Sequence, residues 1–213
     1  MRIHPLAPVV AVDIDGTIGD YYEHFRWFAE LYLQKPVTID WEYSDSAEFS
    51  EALNIDKAVY RQIKLAYRQG GMKRSLPVFP GAGHTIRTLR EKHGVQVWIA
   101  TTRPWQRLDN IDPDTQFWLK RNIGRVDGVI YGEDKYLDLL DIVGANRIIG
   151  VVDDLPENVV AAQSLGMRAM LKAGNHNAVF RKVRQGVPVA HDCSEMLDIF
   201  QEWIGERQEA KAS

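Results

Sequence analysis

Apolar residues along this chain come in short unbroken runs separated by stretches of helical periodicity. Pro8 to Val12 is the first run, valine-rich and too brief for a helix. Runs of this kind belong to strands buried on both faces, as in parallel sheets. Val95–Ala100, Val126–Tyr131 and Arg147–Val152 repeat the pattern, and Met167–Leu171 is a weaker case after Gly166. Between them lie predicted helices. Ala82–His93 sits between Pro80-Gly81 and Gly94, with Ile86 and Leu89 on one face; Thr115–Asn122, Lys135–Val143 and Pro156–Leu165 read the same way. Pro156 suits a first helical turn and Gly166 the position just past a helix end. Strands alternating with helices at this spacing predict right-handed βαβ units and a parallel, doubly wound α/β sheet.

One stretch breaks the alternation. From Ile18 to about Pro77 the pattern holds no convincing strand but two amphipathic helices. The first places Tyr21, Phe25, Phe28 and Tyr32 on one aromatic face. The second starts after Asp56, a good N-cap, carries Val59, Ile63, Ala66 and Tyr67, and stops at Gly70-Gly71. The expected organisation is a core from 1–18 and 78–213, with a helical cap, 19–77, inserted after the first strand as a lid over the sheet. A final helix over about Ser194–Trp203 closes the core, and Glu206–Ser213 reads as a frayed tail.

Composition narrows the function. A length of 213 residues suits one domain carrying an insertion, and 45% hydrophobic with 26% charged residues excludes collagen, coiled coil and wholesale disorder. The net charge of −3 makes non-specific binding to DNA or an anionic membrane a poor default. The single cysteine, Cys193, offers neither an internal disulfide nor a Cys-rich zinc site. Met1 to Pro5 lacks the apolar core of a signal peptide and no long apolar run exists, so a cytoplasmic protein is expected.

The chemistry gathers at the ends of the predicted strands. Asp13-Ile14-Asp15-Gly16-Thr17-Ile18 follows directly on the first run. Ligands of open parallel sheets bind beyond the carboxyl ends of the strands, where these aspartates fall. A calcium loop would need Gly at its sixth position and Glu at its twelfth; Ile18 and His24 stand there, which excludes it. Another apolar strand ends in Asp153-Asp154. Two such acidic clusters brought together repel unless a cation is bound, and hard oxygen ligands without Cys or His point to Mg²⁺. Asp154 is the expected cap of the helix at Pro156, leaving Asp153 for metal. Gln96–Ala100 leads into Thr101-Thr102, hydroxyls suited to an anion. Lys135 opposes the dipole at the start of its predicted helix, a placement that makes sense if it balances phosphate and carboxylate charge.

In this order, Asp13-x-Asp15-Gly-Thr17, Thr101, Lys135 and Asp153-Asp154 resemble the four motifs of the haloacid dehalogenase (HAD) superfamily of phosphotransferases. The resemblance runs from Val9 to about Asn175, with the insertion in the place of a helical cap. Asp20-Tyr21, Phe79-Pro80-Gly81-Ala82 and Asp134-Lys135 look like the 5′(3′)-deoxyribonucleotidase branch, while Gly70–Leu76 does not reproduce that branch's aromatic substrate loop. The resemblance implies a HAD-like Rossmannoid core and a Mg²⁺-dependent phosphomonoester hydrolase acting through an aspartyl-phosphate. It assigns Asp13 as nucleophile, Asp15 as general acid and base, and Thr101, Thr102 and Lys135 as phosphate holders. Asp13, Asp15 and Asp153 would bind the metal, with Asp154 sharing it or orienting from behind. Tyr21 and Phe25 are the expected cap contacts to a nucleobase, making a nucleoside monophosphate the first substrate class. Alternatives are a polynucleotide 3′-phosphatase using Arg103, Arg107, Lys120, Arg121 and Arg125, a phosphosugar phosphatase, and a catalytically silent binding protein. The acidic charge and long cap count against the polynucleotide, and the repulsive carboxylates against the silent protein.

Overall fold

The structure is a computed structural model and describes residues 4–41, 49–104 and 106–212. Five of its strands are the expected apolar runs: β1 (Val9–Val12), β2 (Gln96–Thr101), β3 (Gly128–Tyr131), β4 (Ile148–Asp153) and β5 (Ala169–Lys172). The sixth, β6 (Val189–Ala190), has only two residues, at the end of the short proline-interrupted run Val187–Ala190. The sheet is parallel throughout, in the order β3-β2-β1-β4-β5-β6. The chain leaves β1 toward β2 and β3, then returns to the other side of β1 with β4. That reversal brings the carboxyl ends of β1, β2 and β4 side by side, the position where such sheets bind ligands.

Alternation along the strands sorts the core into two layers. Val10, Val12, Val97, Ile99, Val152 and Met170 point to one face. There they meet α4 (Ala82–Glu91), α5 (Ile111–Asn122) and α9 (Cys193–Ala212) through Ile86, Leu89, Trp118 and Phe200. Val9, Ala11, Ala100, Val151, Ala169 and Leu171 point to the other, against Tyr136, Leu139 and Val143 of α6 (Lys135–Val143) and Val159 and Ala162 of α7 (Pro156–Ser164). Every one of these side chains is nearly or wholly excluded from solvent, and burial of each Val, Leu, Ile, Phe or Met among them contributes roughly 1.5–3 kcal/mol.

Between β1 and α4 run α1 (Tyr21–Leu33), α2 (Phe49–Ala52) and α3 (Lys57–Gln69), which share a third apolar cluster of Phe25, Ala29, Val37, Leu53, Tyr60, Ile63 and Tyr67. Asp56 caps α3 as expected, accepting from the backbone N–H groups of Ala58 and Val59. The chain leaves and rejoins the core at one place, where Gly19 pairs with Val78. The return path is held by the Trp118 indole N–H, which donates to the Leu76 carbonyl at 2.6 Å.

Three expectations need correction. The last helix does not end near Trp203 but continues through the supposed tail to Ala212, pinned by Arg207 on the Asn146 carbonyl and Arg168 on Glu206. Its final turns are polar all round and hold no periodic signal, yet Glu, Arg, Gln, Ala and Lys are good helix formers. Helix α5 starts at Ile111, four residues before Thr115, because Pro113 falls in its first turn, where no intrahelical donor is needed. The aromatic face of α1 is incomplete: Tyr32 is 48% exposed, as is Leu31. A short helix, α8 (Ala178–Val183), carries too little apolar periodicity to be foreseen. No helix among the described residues is long and apolar enough to cross a membrane.

Candidate active site

Asp13 is the first residue beyond β1, its N–H donating to the Val152 carbonyl at 3.0 Å. The loop after it is wound tightly: the N–H groups of Thr17, Ile18 and Gly19 all converge on the Ile14 carbonyl. Gly16 takes φ +89° at the turn, and a Cβ there would stand 2.0 Å from a carboxylate oxygen of Asp154. Glycine is thus required twice, for its backbone conformation and for the approach of that carboxylate. Ile14 and Ile18, fully buried, anchor the loop from beneath.

Asp13, Asp153 and Asp154 are brought together, each with a carboxylate oxygen within 4.8 Å of the others, and all are buried. Lys135 is buried among them. Its ammonium lies 2.7 Å from Asp13 and 2.6 Å from Asp153. Against the burial that disfavours its charge, those two carboxylates hold Lys135 above the ordinary lysine range. Asp13 is pushed well above the ordinary carboxylate range by burial, with Lys135 opposing and Asp153, Asp154 and Asp15 adding repulsion.

Of Asp153 and Asp154, the turn into α7 falls to the one not expected. Asp153 makes the turn into α7, accepting the Leu155 N–H and the Asn158 amide on one oxygen, both at 3.0 Å. Its other oxygen accepts from Lys135 and from the Tyr136 hydroxyl at 2.6 Å, so both oxygens are occupied by protein donors. Asp154, expected as the cap, makes no such turn. One of its oxygens meets the Tyr22 hydroxyl and His176 Nε2, each at 2.9 Å, while the other has only Thr17 at 3.5 Å. Asp154 keeps the more open oxygen and lines the cavity, whereas Asp153 does not.

Asp15 sits between two cations. Arg103 donates to one carboxylate oxygen at 2.9 Å, and Lys73, from the 3-10 turn Met72–Ser75 after α3, donates to the other. Arg103 is steadied by the Thr115 hydroxyl at 2.8 Å. Against burial, Arg103 and Lys73 hold the Asp15 carboxyl well below the usual range. Burial pushes the Lys73 ammonium down to about 7, with Asp15 opposing and Arg103 adding repulsion. The Lys73 ammonium also lies 4.0 Å from the centre of the Tyr21 ring.

A cavity of about 180 Å³ opens over these groups, lined on the sheet side by Asp13, Asp15, Thr102, Arg103 and Asp154. Tyr21, Tyr22, Phe49, Lys64, Arg68 and Lys73 line it from the inserted segment. Of the expected residues, Asp13, Asp15, Thr102, Asp154 and Tyr21 border this space; Asp153 and Lys135 stand behind Asp13. Thr101 is buried at the end of β2 and does not line the cavity. Phe25 is corrected: it is wholly buried in the inserted helices' own cluster, against Tyr60 and Tyr67, because its side of α1 turns toward α3. The strip proposed for a polynucleotide is divided. Arg103 is committed to Asp15, while Lys120, Arg121 and Arg125 border a separate hollow with Arg87 and Arg90.

Lys73, Tyr22, His176, Tyr136, Asn158 and Arg68 escaped the sequence reading. Only Tyr136 and Asn158 carried a local signal, one adjoining Lys135 and the other in the first turn after Asp153-Asp154. The architecture is that of the HAD-like Rossmann fold. A haloacid dehalogenase-like family protein from Streptococcus pneumoniae is similar, at 13% identity and TM-score 0.62, over 92% of this chain and 100% of that one. A HAD-superfamily hydrolase of subfamily IA from Geobacter sulfurreducens matches at 14% and 0.60, over 92% and 97%. CbbY from Rhodobacter sphaeroides in complex with phosphate matches at 16% and 0.62, over 89% and 96%; it has also been solved with xylulose-1,5-bisphosphate. Identities this low establish a shared fold. No family model and no curated protein matches the chain.

Proposed function

We propose that this protein is a Mg²⁺-dependent hydrolase of small phosphomonoesters that works through an aspartyl-phosphate at Asp13, with 19–77 as its cap. The observation that carries the reading is the buried triad Asp13, Asp153 and Asp154, held against one lysine under a cavity. Burial and three neighbouring carboxylates disfavour an ionised Asp13, so this donor set fits a hard divalent cation. The carboxylates of Asp13 and Asp154 and the Asp15 carbonyl would hold it. When bound, Mg²⁺ supplies positive charge that keeps Asp13 anionic and offsets charge on the phosphoryl oxygens.

Asp13 then attacks phosphorus in line; an Asp13 O–P bond forms as the bond to the leaving alcohol oxygen breaks. Lys135 fixes the attacking carboxylate, and Thr102 offers a hydroxyl to the phosphoryl group. Asp15 between Lys73 and Arg103 is a carboxylate, the form needed to take a proton from the water that hydrolyses the aspartyl-phosphate. Its acid role in the first step needs a proton there, which the two cations oppose. Withdrawal of Lys73 with the cap would relieve part of that opposition and let Asp15 carry the proton that the departing alkoxide takes up.

Two substrate readings follow. The lining by Tyr21, Tyr22 and Phe49 favours a nucleoside monophosphate, with its base against an aromatic wall. These rings are already engaged, however: Tyr22 stacks on His176 at 4.2 Å and Lys73 covers Tyr21. A phosphosugar needs no free aromatic face, and CbbY, of the same fold, has been solved with a ketose bisphosphate. The test is a panel of nucleoside 5′- and 3′-monophosphates, sugar phosphates and 3′-phosphorylated oligonucleotides, with Mg²⁺ and with a chelator. Turnover of small phosphomonoesters that stops on chelation is expected, and activity on none overturns the reading.

The exchange of roles at the strand end yields a separate expectation. Asp154→Asn should weaken Mg²⁺ binding by roughly 10–100-fold in calorimetric titration, on the scale seen for groups supporting a metal. Asp153→Asn should act mainly on thermal stability by loosening Lys135 and the start of α7. If Asp153→Asn weakens the metal more than Asp154→Asn does, the assignment of the two residues is reversed.

A further inference from the structure

The cavity is electrically two-sided. Its floor carries Asp13, Asp15 and Asp154, whereas its roof brings Lys64, Arg68 and Lys73 from the cap, close to Arg103 of the core. Lys73 and Arg103 share Asp15. Arg68 is different: among the described residues no carboxylate pairs with its guanidinium. It lies on α3 four residues beyond Lys64 and eight beyond Tyr60, the spacing that puts three side chains on one helical face, and all three line the cavity.

Its position is fixed from the core. The Asn110 amide, just before α5, donates to the Arg68 carbonyl at 2.7 Å and to Asp114 at 2.7 Å, while Arg74 reaches Asp114 at 3.1 Å. The end of α3 is therefore clamped to the core with Arg68 on the cavity wall. A guanidinium delivered to a substrate cavity by such a clamp, with no acidic partner of its own, is matched to planar anionic oxygens.

We propose that the roof forms a second anion subsite, in which Arg68 receives a phosphoryl or carboxylate group at the end of the substrate remote from the reacting phosphate. The inference rests on the phosphomonoesterase reading and deepens it: the preferred substrate is a small phosphomonoester carrying a second anionic group. The first phosphate goes to the floor, beside Asp13 and the Thr102 hydroxyl. A nucleoside monophosphate, whose far end is neutral, leaves Arg68 facing the cavity unused.

The experiment compares substrates with the same primary phosphate and different tails: a neutral polyol monophosphate, a polyol bisphosphate, a phosphorylated hydroxy acid and a nucleoside monophosphate. The full chain is assayed with Mg²⁺, and binding of the same compounds to the Asp13→Asn protein is followed by calorimetry. Doubly anionic compounds should show kcat/KM about tenfold or more above the neutral-tailed one, the worth of one charge-assisted hydrogen bond. In Arg68→Gln that ratio should collapse toward one, mainly through KM, and Arg68→Lys should restore part of it. Preference for the bisphosphate over the hydroxy acid, or the reverse, identifies the anion. Equal turnover of all tails, with the ratio unmoved in Arg68→Gln, overturns the subsite and leaves the phosphatase reading standing. No turnover of any compound, with Arg68-dependent binding of the bisphosphate retained, overturns the phosphatase and leaves the subsite.

Discussion

An Asp13→Asn protein is expected to fold and to hydrolyse no phosphomonoester, with kcat reduced on the order of 10⁴-fold or more. The amide has nearly the shape of the carboxylate, and Lys135 keeps Asp153 as its second partner at 2.6 Å, so the local packing survives. What is lost is chemical: an amide oxygen is a poor nucleophile toward phosphorus and a weaker ligand for a hard cation. Stability should move the other way. Asp13 sits well above the ordinary carboxylate range because burial and three neighbouring carboxylates disfavour its charge. Removing that charge should leave the chelator-treated variant no less stable than the parent in urea unfolding. Mg²⁺-dependent turnover retained by Asp13→Asn would remove this residue from the role of nucleophile.

The other large effect is expected at Lys135. Replacing it by methionine keeps the buried stem but withdraws the one cation that touches both Asp13 and Asp153. Three buried carboxylates within 4.8 Å would then face each other uncompensated. Breaking a buried ion pair from one side typically costs about 3–5 kcal/mol, and this loss is expected in chelator. Two dependences follow from the cause. Added Mg²⁺ should restore part of the loss, since an ion that binds only the folded state stabilises it by mass action. Acidification should shrink the loss. A carboxyl whose folded-state affinity for protons is raised, as for Asp13, favours the folded state when protonated and disfavours it as pH rises through its folded value. A penalty under about 1 kcal/mol, or one indifferent to both Mg²⁺ and pH, would mean that Lys135 is not the counter-ion of the cluster.

The legible parts of this fold are those encoded by neighbours in sequence. Five strands are apolar runs, and the aspartates follow from where two of those runs end. Lys135 was legible because a cation at a helix start is out of place without a partner. Illegible parts depend on meetings between distant segments. Lys73 reaches Asp15 across 58 residues, Arg103 reaches it across 88, and Tyr22 reaches Asp154 across 132. The exchange between Asp153 and Asp154 has a local cause that pattern could not resolve. Either side chain might turn into α7, and the choice falls to Asp153 through Leu155 and Asn158, with Tyr22 and His176 taking up Asp154. Phe25 shows the converse limit: its spacing correctly placed it with Tyr21 on one helix, but spacing does not say which neighbour that helix will face.

The pairing of Gly19 with Val78 has an architectural consequence. Departure and return of the inserted helices are only a paired backbone apart, so the sheet experiences them as it would a tight loop. Their number, length and side chains can change without altering the spacing of the strands that carry the aspartates. A chimaera exchanging everything between these two residues for the corresponding segment of another protein of this architecture should therefore keep the acidic rim intact while acquiring a different taste in substrates.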